Sequence, residues 1–228
     1  MIVAIHQPNY LPWLGYFHKI ARADVFVFLD DVQFSKGSYT NRVGILRDGR
    51  AAWLTQPVRH GLGQPINAVG FAQPDWPQRH RDGLRGAYGQ AACFRQVWPE
   101  IAVLYDDLPA AGLAAVNQVL IERIAGRLGL DCEFRLSSAF DLGARGGDAR
   151  LAALVAEIAP GGTYLSGAGG ANYQSEATFT AAGLTLAYGD YTPPRYDQGG
   201  SDFVAGLSVV DAVFALGWES TRALLAGA

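Results

Sequence analysis

The side chains best suited to chemistry gather in two blocks. HQPNYLPWLGYFHK, residues 6 to 19, presents His6, Gln7, Asn9 and Tyr10 directly after a short apolar, β-branched run. DDVQFSKGSYTNR, residues 30 to 42, presents Asp30, Asp31, Gln33, Lys36, Asn41 and Arg42 after a second such run. An imidazole titrates near neutrality, so His6 suits proton transfer, metal ligation or phosphate contact, or else holds a neighbouring loop by a hydrogen bond. Asp30 and Asp31 can bind a hard cation, orient a nucleophile or cap a turn. Adjacent strand residues point to opposite faces, so at most one of the two is expected at a shared site. Lys36, Arg42 and Arg59 are flexible cations that can meet phosphates or a carboxylate, or stay solvated.

A third block, TYLSGAGGANY (163–173), follows apolar residues with Ser166, Gly167 and further small residues. Such a stretch lets backbone N–H groups approach an anion at a helix start. It matches neither a Walker nor a dinucleotide fingerprint, so a plain flexible loop explains it equally well. The four histidines, His6, His18, His60 and His80, are dispersed without zinc-ligand spacing. No G-x-S-x-G elbow supports a Ser-His-Asp hydrolase. Most of the aromatic residues, including Tyr10, Trp13, Tyr16, Phe17, Trp53, Tyr191 and Tyr196, read as core or pocket wall, with one or two available to stack on a base or sugar.

Elements must place these blocks. IVAIH (2–6) and DVFVFL (24–29) read as strands buried on both faces, and Trp13, Phe17 and Ile20 repeat at helical spacing between them. The opening is therefore a βαβ unit with a right-handed crossover. Apolar stretches on either side of Asp48-Gly49 predict a hairpin with strands near 42–47 and 51–57. Residues 74–128 carry helical patterns, the last ending at Gly129 as a C-cap. Beyond them CEFRLSS, ARLAALVAEIA, TYLSG and LTLAYG alternate strand and helix, and two short amphipathic helices close the chain, the first opened by Ser208 with Asp211 as an approximate capping box. TPPRYDQGG (192–200) reads as a surface loop.

The expected fold is α/β: an open, Rossmann-like parallel sheet of about five strands in nucleotidyltransferase-like order. An inserted hairpin and a mostly helical middle segment complete it. The expected organisation is one domain over 1–228, divided into 1–73 (βαβ opening and hairpin), 74–129 (helical), 130–190 (α/β second half) and 191–228 (loop and helices). In such sheets ligands bind beyond the carboxyl ends of the strands, where all three blocks lie.

With 228 residues, 17% charged and a formal net charge of −3, the chain advertises no double-stranded nucleic-acid or membrane partner. Its two cysteines, Cys93 and Cys132, read as free thiols. MIVAI lacks the basic leader of a signal peptide and no run reaches the ~20 apolar residues of a membrane span, so a cytoplasmic location is expected.

HQPNYLPWLGYFHK, DDVQFSKGSYTNR, WLTQPV (53–58), TYLSG with Tyr173, and YTPPRYDQGGSDFVAGLSVVDAVFALG (191–217) together resemble the WbqC-like proteins, along nearly the whole chain. That resemblance implies glycine-type or other aminoacyl transfer onto amino sugars in bacterial polysaccharide (O-antigen) or secondary-metabolite biosynthesis. His6 then acts as base, an aspartate of 30–31 orients it, and Lys36, Arg42 and the 166–170 loop hold phosphate. Gln7, Asn9, Tyr10, Gln33, Asn41, Tyr173, Tyr196 and Gln198 join them as substrate contacts. The implied partners are a nucleotide-linked amino sugar and an aminoacyl or carrier-bound donor.

The opening also looks like that of the HIGH-type nucleotidyltransferases, such as pantothenate synthetase, which forms an amide through an acyl-adenylate. Trp13-Leu14-Gly15-Tyr16 takes the place of the H-x-G-H signature, so Trp and Tyr replace both histidines. An ATP- and Mg²⁺-dependent adenylating enzyme, with the metal near Asp30 or Asp31, is therefore a second reading. A non-catalytic binding protein is a third.

Overall fold

The computed structural model of the chain describes residues 1–200 and 202–226. Five parallel strands form the main sheet: β1 (Ile2–His6), β2 (Val25–Phe28), β7 (Glu133–Leu136), β8 (Thr163–Ser166) and β9 (Thr185–Tyr188), in the order β7-β2-β1-β8-β9. The chain builds outward from β1 through β2 to β7, then returns to the other side of β1 for β8 and β9. The strand order thus reverses between β1 and β8, where the open-sheet rule puts a ligand crevice. His6 pairs with Phe28 and Ala4 with Leu165 in the parallel registers on either side of β1.

Period-two alternation explains why this sheet is covered on both faces. Ala4, Phe26, Phe28 and Leu165 point into one core, with α1 (Leu14–Ala21), α4 (Leu113–Arg127) and α7 (Val209–Ala226). Val3, Ile5, Val25, Val27 and Tyr164 point into the other, with α5 (Gly147–Ile158) and α6 (Glu176–Ala181). Helix α1 is the expected crossover. Its apolar stripe of Leu14, Phe17 and Ile20 packs on the sheet, leaving Gly15, His18, Lys19 and Arg22 at the i, i+3, i+4, i+7 positions of another face.

The hairpin forms as expected from β3 (Arg42–Arg47) and β4 (Arg50–Thr55), turning at Asp48 and Gly49, both with positive φ (51° and 74°). A two-residue pair, β5 (Val58–Arg59) with β6 (Gly70–Phe71), follows, too short to leave a periodic signal. The helical middle consists of α2 (Trp76–Tyr88), α3 (Phe94–Val103) and α4. The two closing helices are the halves of α7, broken at Gly217 (φ 79°, ψ 171°). The capping box forms only in part. Ser208 Oγ accepts from the Val210 N–H (3.4 Å) and donates to the Leu11 carbonyl (2.7 Å), whereas the Asp211 carboxylate turns away to the 192–200 loop. Both cysteines are free and partly buried. No helix among the described residues is long and apolar enough to cross a membrane.

Candidate active site

The HQPNYLPW segment leaves the carboxyl end of β1 through a loop with very few free polar groups. The Tyr16 hydroxyl donates to the Gln7 carbonyl (2.9 Å), and Asn117 Nδ2 of α4 donates to the carbonyls of Pro8 (2.9 Å) and Thr40 (2.6 Å). The Val209 N–H donates to the Pro12 carbonyl (2.8 Å). Pro8 and Pro12 restrict φ, and Leu11 is held at φ +37°. Buried carbonyls satisfied from three separate helices give a loop with one conformation.

Tyr10 belongs to this clamp rather than to the crevice. It is fully buried, with its hydroxyl 2.6 Å from both His80 Nδ1 and the Tyr105 hydroxyl. His80 Nε2 lies 3.0 Å from the Thr55 carbonyl, which can only accept, so that nitrogen carries the proton and Nδ1 accepts from Tyr10. Tyr105 in turn donates to the Tyr10 oxygen.

At the reversal between β1 and β8 lies a pocket of about 260 Å³, walled by His6, Trp13, Gly15, Tyr16, Lys19, Ser166, the following Gly167–Gly169 and Tyr191. His6 Nδ1 is 3.1 Å from the Gln7 carbonyl and donates to it, which leaves the Nε2 lone pair unclaimed. Its pKa is lowered to about 4, chiefly by burial and further by the nearby Lys19 charge, so the ring is neutral at pH 7. Trp13 and Tyr16 pack edge-on against it, with ring centroids 5.8 and 4.8 Å away. Lys19 donates to the Ile5 carbonyl (2.8 Å), and burial lowers its pKa to about 8. None of the ion pairs among the described residues involves it. A desolvated ammonium without a counterion favours an anionic ligand.

Glycines allow close packing at the pocket wall and in the turn that follows Ser166. A Cβ at Gly15 would press into the Tyr191 ring at 2.7 Å, and one at Gly170 would collide with Ser166 Oγ and Gln174. The short 3₁₀ turn Ala168–Asn172 is only five residues long, too few to concentrate a dipole, and the other lining cation, Arg22, is paired with Asp190, so the uncompensated positive charge comes from Lys19.

The crevice thus brings together His6, Ser166 and Gly167 of the expected site residues. Gln7 lies just behind it, its Oε1 accepting from the Thr40 hydroxyl (3.4 Å), while Asn9 is buried in the loop. Asn41 Nδ2 donates to the Gln56 carbonyl (3.3 Å) in the interior. Arg42 lies over Trp53, Gln33 and Lys36 are exposed, and Tyr173 is exposed on the rim of the 166–173 loop. Tyr196 and Gln198 both donate to Asp211 (2.7 and 2.8 Å) and tie the 192–200 loop to α7.

Asp30 and Asp31 form a separate cluster that joins β2 to the segment after β7. Asp30 accepts from the Ser138 N–H (3.0 Å), the Ser138 hydroxyl (2.7 Å) and Asn67 Nδ2 (3.2 Å). Asp31 pairs with Arg150 (2.5 Å). The Ser137 hydroxyl is within reach of both, 3.0 Å from Asp30 and 2.6 Å from Asp31. Magnesium does not fit this pair as it stands, because every carboxylate oxygen already accepts a hydrogen bond or an ion pair. His18 is also committed, to the Leu225 carbonyl (3.0 Å) and Arg22 (3.5 Å).

Lys19 and Gly15 were not among the expected site residues, and Tyr191 was expected only as core or pocket wall, where it lies. The signal for Lys19 was available in the Gly15-His18-Lys19-Arg22 spacing along one helix face.

Fold and site together define an α/β protein with a doubly wound parallel sheet and a ligand pocket at its topological switch, centred on a neutral histidine. The family model of the WbqC-like proteins matches residues 7–223, and the chain belongs to that family. It is 30% identical over 221 residues to the uncharacterized protein Rv1507c of Mycobacterium tuberculosis (strain ATCC 25618 / H37Rv), covering 96% of this chain and 95% of that one. No solved structure matches the chain significantly.

Proposed function

We propose that this protein forms an amide by transferring an acyl or aminoacyl group of the glycine type onto an amine, with a nucleotide-linked amino sugar as acceptor. The observation that carries the reading is His6, a neutral imidazole with its Nε2 lone pair open to the switch-point pocket beside an unpaired ammonium. An amine attacking an acyl carbonyl must lose a proton as the C–N bond forms, and Nε2 takes it. The carbonyl oxygen gains negative charge in the same step, and Lys19 stabilises it in a poorly solvated site. When the bond from the acyl carbon to its carrier oxygen or sulfur breaks, the imidazolium returns the proton to the leaving group. With a pKa of about 4 the imidazole is unprotonated at neutral pH, a weak acceptor whose lone pair is free to take the proton and which returns it readily to the leaving group.

The reading is tested first by melting temperature. UDP- or dTDP-linked amino sugars are expected to raise it, since a ligand at ~100 times its dissociation constant adds ~2.7 kcal/mol. A rise with ATP and Mg²⁺ alone favours the adenylating alternative, and no rise with any of these nucleotides removes both. Once turnover is measurable, His6→Gln is expected to lower it by ~100-fold or more while circular dichroism shows the fold retained. Undiminished turnover in that variant removes His6 as the base.

A further inference from the structure

The pocket is smaller than the 300–1,000 Å³ typical of sites that enclose a whole drug-sized ligand. At about 260 Å³ it holds the reacting end of a sugar nucleotide but not its nucleoside and phosphates. A row of rings leads out of it. Trp13, which walls the pocket, lies 5.4 Å from Tyr39, and Tyr39 lies 5.9 Å from Trp53 on the hairpin (ring centroids). Tyr39 and Trp53 are 46% and 54% exposed. Two large neighbouring rings left in water beside a pocket mark a binding surface better than a packing element.

Charge at the same place narrows the occupant. The Arg42 guanidinium lies 4.1 Å over the Trp53 ring and beside Gly37, and its Nε is buried without a hydrogen-bond partner. None of the ion pairs among the described residues involves Arg42. An arginine braced on an aromatic face, with no carboxylate, is pre-organised for a bidentate contact to phosphate.

From the adjoining rings, the unpaired guanidinium and the small pocket, we infer that the Tyr39–Trp53–Arg42 ledge binds the nucleoside diphosphate portion of the acceptor. The base stacks on Tyr39 and Trp53, a phosphate meets Arg42, and the amino sugar enters the His6 pocket past Trp13. This rests on the acceptor being a sugar nucleotide, as proposed above.

Binding of UDP and dTDP to the full-length protein, by titration calorimetry, tests it, with ADP as the comparison. Trp53→Ala and Tyr39→Ala are each expected to weaken UDP or dTDP by about 5- to 150-fold, the range for losing one stacked ring, with Trp53→Phe recovering most of the loss. Arg42→Met is expected to weaken binding and flatten its salt dependence. Both rings are about half exposed, so the variants should stay folded by circular dichroism with only a modest fall in melting temperature. Preference for ADP over both pyrimidine nucleotides, with the same ledge dependence, keeps the ledge and changes the base. Unchanged affinity in the Ala variants, or no diphosphate binding at all, overturns the ledge. Ledge-dependent UDP binding in a protein that acylates no amino-sugar nucleotide overturns the proposed reaction and leaves the ledge standing.

Discussion

Lys19 helps to set the protonation of His6, and His6 does not return the effect. Lys19 is charged over the whole range in which His6 titrates, so it pushes the imidazole pKa down in addition to burial. By the time Lys19 titrates, near pH 8, His6 is neutral, and only burial lowers the lysine. Lys19→Met should therefore raise the His6 pKa from about 4 while leaving it below 6.5, because the desolvation stays. Imidazole ¹H–¹⁵N shifts across pH 3 to 8 measure this without a substrate. An unmoved His6 pKa shows that the ammonium does not reach the ring. At this scale the sequence was half legible. A histidine ending a strand stands out, but a lone lysine on an amphipathic helix ordinarily extends to solvent, and only its helical phase with Gly15 distinguishes it. The aspartate pair carried the opposite lesson. DD after a strand reads as a site, yet Ser137, Ser138, Asn67 and Arg150, distant in sequence, claim both carboxylates.

The element that matters most is the connector from β1 to α1, and its rigidity is imported from outside. Asn117, wholly buried in α4, is one residue that bonds both this loop and the Thr40 segment. Asn117→Ala removes two hydrogen bonds and leaves two buried carbonyls unsatisfied, a loss of about 2–4 kcal/mol at ~1–2 per group. Asn117→Asp should do worse, since a carboxylate cannot donate and faces two carbonyl oxygens. Urea unfolding measures both, and an Asn117→Ala midpoint equal to wild type dissociates α4 from the loop's order. Strands β1 and β2, the hairpin and α4 were readable because their periodicity and turn residues are local. Tyr10 was misleading for the same reason: a tyrosine beside a candidate base suggests substrate contact, and only the partners at His80 and Tyr105, 70 and 95 residues away, make it structural.

For the whole molecule, alternating strand and helix foretold a parallel sheet, but the position of its reversal depends on which side of β1 the fourth strand joins, a long-range choice with no local mark in the sequence. The same global packing desolvates His6 and buries His80, and acid stability follows from it. His6 and His80 both have pKa values lowered to about 4, largely by burial. Between pH 6.5 and 4 the unfolded chain binds protons that the folded chain refuses, so the stability these two contribute is complete above pH 6.5 and is lost as pH falls toward 4. At ~1.4 kcal/mol per pKa unit each contributes on the order of 3 kcal/mol at most, a large share of a typical 5–15 kcal/mol. Asp211 acts in the opposite sense. Burial raises its pKa despite the bonds from Tyr196 and Gln198, so protonating it as pH falls relieves a desolvated charge and offsets part of the loss. Unfolding free energies at pH 7, 5 and 4 should fall steeply for wild type. His80→Gln should start lower at pH 7, having lost the Tyr10 and Thr55 contacts, but fall less between pH 7 and 4. A drop in His80→Gln as large as in wild type shows that the buried imidazole at α2 is not what acid attacks, and points to the other groups whose lowered pKa values act in the same sense, His6 and the Arg22-paired Asp190.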